Sequence, residues 1–160
     1  MENKSFLKTI PFTEFSMWDV KRYILNDIQS SFRLVSLSEL IYQRSEKIKL
    51  FEFPDKDFKI LGVNNKIGLF DAYIEKGKNI NQPYKKVYDG DLIYNPYRVN
   101  VGSIGIKTPE IQNELISPAY VVFGTTKELL SEYLYLVFKT ETFNKIINDN
   151  TTGSVRQNLK

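Results

Sequence analysis

The chain contains neither cysteine nor histidine in its 160 residues. The lack of cysteine excludes disulfides and cysteine nucleophiles. Because histidine is also missing, the usual structural zinc sites and histidine-based acid–base catalysis are excluded as well. Any catalysis would have to use Asp, Glu, Lys, Tyr or Ser, so the composition favours a non-catalytic protein without a metal or other cofactor.

Long apolar segments are also lacking. No apolar run approaches the ~20 residues that a membrane-spanning helix needs. The N-terminus carries Glu2, Lys4 and Lys8 around single apolar residues, where a signal peptide would have an apolar core. These absences predict a cytoplasmic protein without a membrane segment.

The residues that are present are typical of a globular domain. Hydrophobic residues make up 42% of the chain, aromatic residues 14% and charged residues 26%, a composition that argues against disorder. A chain of 160 residues can form one domain with a full hydrophobic core. Since no internal repeat or low-complexity linker divides the sequence, we predict a single domain over residues 1–160.

Positive charge is concentrated in one window of the sequence. The whole chain has a net charge of only +3, yet the window 76–109 has six basic residues against Asp89 and Asp91. These basic residues are Lys76, Lys78, Lys85, Lys86, Arg98 and Lys107. The window is also rich in Asn, Gln and Tyr, which hydrogen-bond bases and phosphates. A solvated loop with scattered lysines is the alternative interpretation, and the charge pattern leaves both open.

Apolar periodicity predicts an α+β fold with a mostly antiparallel, curled sheet, an N-terminal helix and two C-terminal helices. The N-terminal helix is predicted from Met17 to about Asn26. Strands are predicted at 32–37, 58–63, 68–74, 85–89, 91–95, 102–106 and 119–123, with a helical turn at 38–41. Thr125 and Glu128 form a capping-box pattern before one C-terminal helix, and the other is predicted from about Thr140.

The densest polar cluster is YNPYRVN, at 94–100, directly after a predicted strand. We interpret Asn95 and Pro96 as the residues that build a turn there. Arg98 is interpreted as a binding residue, because an arginine can contact a guanine edge or a phosphate with two parallel hydrogen bonds. Asn100 offers the amide group that pairs with adenine.

Two segments are similar to enzyme motifs but lack the context that those motifs need. The NPY segment at 95–97 resembles the motif of adenine methyltransferases, but one proline is missing, and neither a glycine-rich cofactor turn nor alternating strands and helices accompany it. The carboxylates Asp55, Asp57 and Glu75 lack the pattern of a nuclease metal site. An independent hydrolase therefore remains a remote alternative.

The glycine-containing segment at 102–105 is only superficially similar to a phosphate-binding loop, because no Lys-Ser/Thr ending and no helical pattern follow it. We interpret it as a strand in which glycine permits a bulge or the close approach of another backbone. In that interpretation Ser103 and Lys107 are still candidates to face DNA from the strand.

A third polar cluster, TTGSVRQNL, lies at the end of the chain. Gly153 predicts a tight turn and Ser154 the start of a new helix, with Arg156 in its first turn. Backbone N–H groups at that helix start, together with Arg156, would suit a DNA phosphate. A contact between Arg156 and its own domain is an equal alternative.

Three segments, taken in order, resemble the target-recognition domain of type I restriction-modification specificity subunits. They are DLIYNPYRVNVGSIGI at 91–106, SPAYVVF at 117–123 and GSVRQNL at 153–159, and the resemblance extends from about Phe32 to Lys160. It implies a non-catalytic module that recognises DNA sequence for an adenine methyltransferase/endonuclease complex. Family members have two such domains, each reading one half of a bipartite site, joined by paired spacer helices.

The resemblance also implies partners: double-stranded DNA, a methyltransferase subunit, a restriction (motor-nuclease) subunit, and a second recognition domain or a homodimer. The chain stops where the spacer helix would begin, which implies a half-subunit or a fragment whose DNA binding is weak and salt-sensitive. The residues predicted to contact DNA are Arg98, Lys78, Lys85, Lys86, Asn81, Asn100, Ser103, Lys107 and Arg156.

Recognition loops differ between members of this family, so the stretch Asn64–Lys86 is expected to do much of the reading. DNA recognition also requires that Arg98 and the segment Lys76–Lys86 converge on one concave surface. The alternative function is a protein-docking module of the same fold, which binds the methyltransferase subunit with little direct DNA contact. A continuous positive groove favours DNA, and a flat apolar-aromatic patch favours a protein partner.

Overall fold

A computed structural model of the chain describes residues 30–150, with side chains described up to residue 148. Nearly all of these residues belong to the second of two compact units, Val35–Lys160, and the fold is given for that unit. The N-terminal helix predicted from Met17 and the GSVRQNL segment with Arg156 lie outside the described residues. No helix within 30–150 is both long and apolar enough to cross a bilayer.

The described part of the chain contains short strands, one long hairpin and helices at both ends. In chain order the elements are α1 (Leu37–Leu40), β1 (Ile41–Gln43), β2 (Lys47–Ile48), β3 (Asp57–Asn64), β4 (Gly68–Lys76), β5 (Tyr84–Lys86), β6 (Leu92–Tyr94), β7 (Ile104–Ile106), β8 (Leu115–Ile116), β9 (Val121–Thr125), α2 (Ser131–Phe138) and α3 (Glu141–Asn150). Short 3₁₀ turns lie at Leu50–Glu52, Gly77–Asn79 and Val99–Val101.

The strands form two sheets instead of the one curled sheet that the sequence predicted. Sheet A has the order β1-β9-β6-β7, with each neighbouring pair antiparallel. Sheet B has the order β2-β5-β8-β3-β4, in which the β3–β8 pair is parallel and the other pairs are antiparallel. The predicted α+β class with mostly antiparallel strands is therefore confirmed.

The β3–β4 hairpin owes its turn to one asparagine and one glycine. The Asn64 Oδ1 accepts hydrogen bonds from the backbone N–H groups of Lys66 and Ile67, both at 2.9 Å. Gly68 has a φ of 78°, a conformation that residues with a Cβ rarely adopt. These contacts hold the exposed turn residues in one arrangement at the end of a two-stranded ribbon.

Sheets A and B are in contact where Gly105 of β7 lies against Leu69 of β4. A Cβ at position 105 would overlap the Leu69 backbone, so glycine is required at this point. The interpretation of segment 102–105 is confirmed for Gly105, which lies in a strand at a close backbone approach, whereas Gly102 and Ser103 precede that strand. The core beside this contact consists of Leu61, Val63, Leu69, Val87, Ile93, Ile116 and Val122.

Both C-terminal helices are present, and α2 packs on sheet A. Phe138 of α2 packs against Phe123 of β9, and Phe143 of α3 stacks on Phe138 with ring centroids 4.3 Å apart. The helix α2 begins at Ser131, later than the predicted capping box, because Thr125 is still part of β9.

Some strand predictions were wrong or missing. The segment predicted as a strand at 32–37 is irregular up to residue 36, and Leu37 begins α1. Val35 and Leu37 are 44% and 38% exposed, so their apolar pattern does not mark a buried strand face. Strands β1, β2 and β8 were not predicted because they are only two or three residues long, which is too short for alternation to be recognised.

Candidate nucleic-acid interface

The Arg98 loop connects β6 to β7 and is held by its own backbone. The Asn95 Oδ1 accepts the N–H of Tyr97 at 3.0 Å, and the Asn95 carbonyl accepts the N–H of Arg98 at 3.0 Å. Gly102, with a φ of 78°, ends the 3₁₀ turn. This geometry confirms that Asn95 belongs to a turn, and it leaves Tyr97 and Arg98 exposed at the surface.

Arg98 meets the tip of the β3–β4 hairpin. A small surface pocket of about 90 Å³ lies between them, lined by Val63, Asn64, Asn65, Arg98, Val101 and Ser103. Such a volume suits a single phosphate group or a few waters and is well below that of a typical small-molecule site. We call this surface, with the exposed Lys66 of the same turn, the Arg98 face.

The Arg98 face has a positive electrostatic character. The segments 62–70 and 92–106, which supply it, contain Lys66 and Arg98 but no Asp or Glu. Within residues 30–150, Arg98 forms no ion pair with a carboxylate. The Lys139 Nζ adds a further cation close by, since it donates to the Gly102 carbonyl at 3.2 Å. Burial lowers the pKa of Lys139 below its ordinary value.

The opposite end of the hairpin, which we call the Lys78 end, is electrically balanced. Here the turn Gly77–Asn79 is joined to residues 53–56, with the N–H of Lys78 donating to the Pro54 carbonyl at 3.0 Å. Lys76 Nζ lies 3.9 Å from Asp57 Oδ1, and Asn79 Nδ2 donates to Glu75 Oε1 at 2.6 Å. The cations at this end are Lys49, Lys56, Lys76 and Lys78, and the carboxylates are Glu52, Asp55, Asp57 and Glu75.

The structure does not bring Arg98 together with Lys78. The hairpin is paired from Asn64–Gly68 at the Arg98 face to Asp57–Lys76 at the other end. A strand of this length, with a rise of ~3.3 Å per residue, separates the two ends by roughly 23 Å. The expected convergence of Arg98 is therefore not observed for Lys76 and Lys78, and the exposed Asn81 follows the Lys78 end. A DNA interface that includes Arg98 has to be formed with other cations than these.

Lys85 and Lys86 belong to β5 and have partners inside the protein. Lys85 is 9% exposed, and its Nζ donates to the Tyr120 carbonyl at 2.5 Å. Burial lowers the pKa of Lys85, and the charge of Lys47 on the neighbouring strand lowers it further. Lys86 Nζ lies 3.7 Å from Glu46 and 5.1 Å from the centroid of the Tyr88 ring.

Two other predicted contact residues are buried. The Lys107 side chain is 5% exposed, and its Nζ contacts Asp89 Oδ1 at 2.9 Å and the carbonyls of Ile111 and Thr108 at 2.6 and 3.3 Å. The Ser103 Oγ donates to the Val63 carbonyl at 3.3 Å. Both polar groups therefore have intramolecular partners in the free protein. Asn100, in the 3₁₀ turn that follows Arg98, is half-buried, and Arg156 lies outside the described residues.

Arg44, which the sequence did not single out, has a charged group held by a carboxylate and two aromatic rings. Its Nε donates to Asp91 Oδ1 at 3.0 Å and to Oδ2 at 3.1 Å. Its guanidinium carbon lies 5.0 Å from the ring centroid of Tyr42 and 4.9 Å from that of Tyr88. Tyr42 and Arg44 are two positions apart on an extended segment, so their side chains share a face. This spacing is the sequence pattern that could have predicted their contact.

The pKa of Arg44 reflects opposing effects. Burial lowers it, but the hydrogen bond and the negative charge of Asp91 raise it more, so the pKa lies above its ordinary value. Asp91 is only 1% exposed and also accepts the N–H of Tyr88 at 2.9 Å. The guanidinium therefore stays charged and is oriented by a carboxylate that is itself fixed.

In the described part of the chain, no group of three or more acidic side chains is placed to hold a metal ion.

Comparison with known proteins identifies similar folds at low sequence identity. No protein-family model matches the chain, and no curated protein matches it. One similar structure is a chain from a study of complex assembly and conformational transition of the type I R-M system, with a TM-score of 0.62 and 16% identity. Another is the HsdS subunit from Thermoanaerobacter tengcongensis, with a TM-score of 0.61 and 15% identity.

Each match covers 79% of this chain and 34% of the known structure. The chain thus spans about a third of the length of the structures that it matches. At this level of identity the likeness concerns the fold, and it agrees with the resemblance that the three sequence segments predicted. The chain has the fold of part of a type I restriction-modification specificity subunit, HsdS.

Proposed function

We propose that the chain is a DNA sequence-recognition module, which gives specificity to a type I restriction-modification adenine methyltransferase/endonuclease complex by reading one half of a bipartite site. The observation that carries this proposal is the Arg98 face. There Lys66 and an arginine that pairs with no carboxylate of residues 30–150 lie on segments without Asp or Glu. In this proposal the module is non-catalytic and acts in the cytoplasm. Its partners are double-stranded DNA, a methyltransferase subunit, a motor-nuclease subunit, and a second recognition domain or a second copy.

The chemistry of the Arg98 face suits a DNA backbone with bases beside it. Lys66 and Arg98 supply the cations that displace counterions from phosphates. Asn65 and Tyr97 are exposed beside them and supply hydrogen-bonding groups for base edges or sugars. Because the hairpin turn and the Arg98 loop are held by their own hydrogen bonds, little ordering is needed when DNA binds.

The other predicted contact residues take different roles in this proposal. Lys107, Ser103 and Lys85 have internal partners and position the strands and loops around the interface. Lys78 and Asn81 lie at a balanced end of the hairpin, where phosphate attraction is weak. Direct contact is assigned to Arg98 and Lys66. Lys86 pairs with Glu46 and lies against the Tyr88 ring, so it is not assigned a phosphate.

The test is the salt dependence of DNA binding by the full chain. Fluorescence anisotropy with labelled duplexes, selected by the chain from a randomised pool, would be measured at low and at fourfold higher salt. Two phosphate contacts predict a slope of about −1.8 in a plot of log affinity against log salt, which is roughly a tenfold loss of affinity. A slope near zero, or no enrichment of any duplex, would overturn the proposal.

A second candidate function is favoured by the Lys78 end, which combines balanced charge with exposed apolar side chains. Phe51, Phe53 and Ile74 are 40%, 52% and 63% exposed there, and apolar-aromatic surfaces of low net charge are typical of protein interfaces. The candidate is docking of the methyltransferase subunit. If docking is the main role, the double variant F53A/I74A will abolish co-purification with that subunit, while duplex binding by the isolated chain is absent already in the wild type.

A further inference from the structure

Arg44 lies in a site that fixes both the plane and the orientation of its guanidinium group. Tyr42 and Tyr88 lie over the group at 5.0 and 4.9 Å, and Asp91 binds its Nε. The support is itself well anchored, because the Tyr88 hydroxyl donates to Glu46 at 2.6 Å and the Tyr42 ring packs directly on Gly124. An arginine that only linked two strands would not need two aromatic rings beside its guanidinium group.

The remaining edge of the guanidinium is available to a ligand. Within residues 30–150 neither Nη atom has an acceptor, and neither belongs to the buried atoms that lack a partner. The Arg44 side chain is 29% exposed, so its Nη edge reaches solvent. Donors in a rigid, planar fork match a ligand with two acceptors side by side.

We propose that Arg44 is a base-reading residue that donates a pair of hydrogen bonds to the O6 and N7 acceptors of one guanine in the recognised DNA. This inference rests on the proposed DNA-recognition function and assigns one specificity contact to it. The two tyrosines and Asp91 act as positioning residues for Arg44. Lys86 Nζ lies 5.1 Å from the centroid of the Tyr88 ring and adds a second cation beside these residues. We call Arg44, Tyr42, Tyr88, Asp91, Lys86 and Glu46 the Arg44 cluster.

Charge in the Arg44 cluster favours a neutral base edge over a phosphate. Arg44 and Lys86 are matched by Asp91 and Glu46, at 3.0 and 3.7 Å. Compensated cations attract a phosphate weakly, whereas a bidentate contact with guanine depends on the geometry of the donors. The Arg98 face, on segments without carboxylates, has the opposite character and is suited to phosphates. The two arginines thus differ in what they are equipped to bind.

The experiment compares duplexes selected from a randomised pool by the wild-type chain and by Arg44→Lys. This variant keeps the positive charge but lacks the planar pair of N–H donors. We expect Arg44→Lys to lose the preference for guanine at one position by about tenfold, in line with a single bidentate contact, while the other positions keep theirs. Arg98→Gln is the control, because it removes a phosphate contact and should weaken binding to all duplexes without changing the preferred sequence. Circular dichroism establishes that both variants are folded.

A second arm keeps the inference testable even if Arg44→Lys does not fold. Each guanine of the selected duplex is replaced in turn by 7-deazaguanine, which lacks the N7 acceptor, and the affinity of the wild-type chain is measured. One replacement should lower wild-type affinity about tenfold, and the same replacement should have little effect on Arg44→Lys.

The outcomes separate this inference from the function on which it rests. A selected sequence that is unchanged in Arg44→Lys, or a wild-type chain that tolerates every 7-deazaguanine, overturns the base-reading role. A loss of affinity in Arg44→Lys that is equal for all duplexes, with no change of base preference at any position, identifies a phosphate contact instead and also overturns it. A wild-type chain that enriches no duplex removes the proposed function and the role of Arg44 with it.

Discussion

The two ends of the β3–β4 hairpin both carry cations but differ in the carboxylates that lie beside them. At the Lys78 end each lysine has a carboxylate within the same cluster, and Lys76 and Lys49 form ion pairs with Asp57 and Glu52. At the Arg98 face the contributing segments contain no carboxylate. The number of cations is therefore a poor guide to phosphate binding, and the carboxylates brought beside them by the fold decide the local potential.

This difference arises from chain segments that are distant in sequence. The positive window at 76–109 contains two aspartates, but the acidic residues that neutralise its first part come from 52–57, on the other side of the hairpin. The Arg98 loop instead meets Asn64 and Asn65, at the turn of the same hairpin. One hairpin thus separates a candidate DNA surface from a candidate protein surface.

The largest expected effect comes from reversing charge at each end. The double variant K66E/R98E should lower affinity for duplex DNA by about 100-fold or more at low salt, because two attractive phosphate contacts become repulsive. The matched variant K76E/K78E changes the net charge by the same amount but should alter affinity by less than about threefold. Anisotropy titrations with one labelled duplex measure both.

Equal losses of DNA affinity in the two double variants would mean that binding depends only on the net charge of the chain. That result would contradict the proposed difference between the two ends of the hairpin. Thermal unfolding of both proteins serves as the control, since all four side chains are exposed and the fold should be retained.

The second prediction concerns Lys107, which the sequence placed with the DNA contacts and the structure places inside. Lys107→Met should destabilise the protein by about 2–4 kcal/mol, because the carbonyl of Ile111 and its other acceptors lose a buried donor. Urea unfolding measures the stability, and DNA affinity of the folded variant should stay within about threefold of the wild type. An unchanged stability together with a tenfold loss of DNA affinity would show that Lys107 contacts DNA directly.

The fold was predictable from the sequence where strands are long enough to show a pattern. β3, β4, β6 and β7 coincide closely with predicted strands, because apolar residues alternate or run together between turn residues in them. The division into two sheets was not predictable, because it depends on pairings between short, distant strands such as β1 with β9 and β5 with β8. Such pairings leave no local signal.

The candidate site was predicted in part, for the same physical reason. Arg98 was identified because a polar loop that follows a strand is readable in sequence, and its exposure agrees with that prediction. The burial of Lys107 and Lys85 was not readable, since their partners are carbonyl groups of other segments. Arg44 was missed because its support comes from Tyr88 and Asp91, more than forty positions away in the sequence.

The smallest expected effect is a shift in the pKa of one tyrosine, which reports the electrostatic potential near the Lys78 end. Tyr73, on β4 opposite Ile60, has a pKa raised to about 12, first by burial, then by a hydrogen bond with Tyr84 and by the charges of Tyr84 and Glu75. Because the folded protein keeps the phenol protonated while the unfolded chain ionises near pH ~10, stability contributed by Tyr73 is present below that pH and is lost as the pH rises towards about 12.

Tyrosinate absorbance measures this pKa by difference between the wild type and Tyr73→Phe. Glu75→Gln should lower the pKa of Tyr73 slightly, since it removes one of the charges that raise it, whereas Lys78→Gln should change it little. A cluster with a net positive field would instead hold the tyrosine pKa below its ordinary value, because the phenolate would be stabilised. A pKa of Tyr73 below 10 would therefore mean that the Lys78 end is positive, and the contrast with the Arg98 face would be lost.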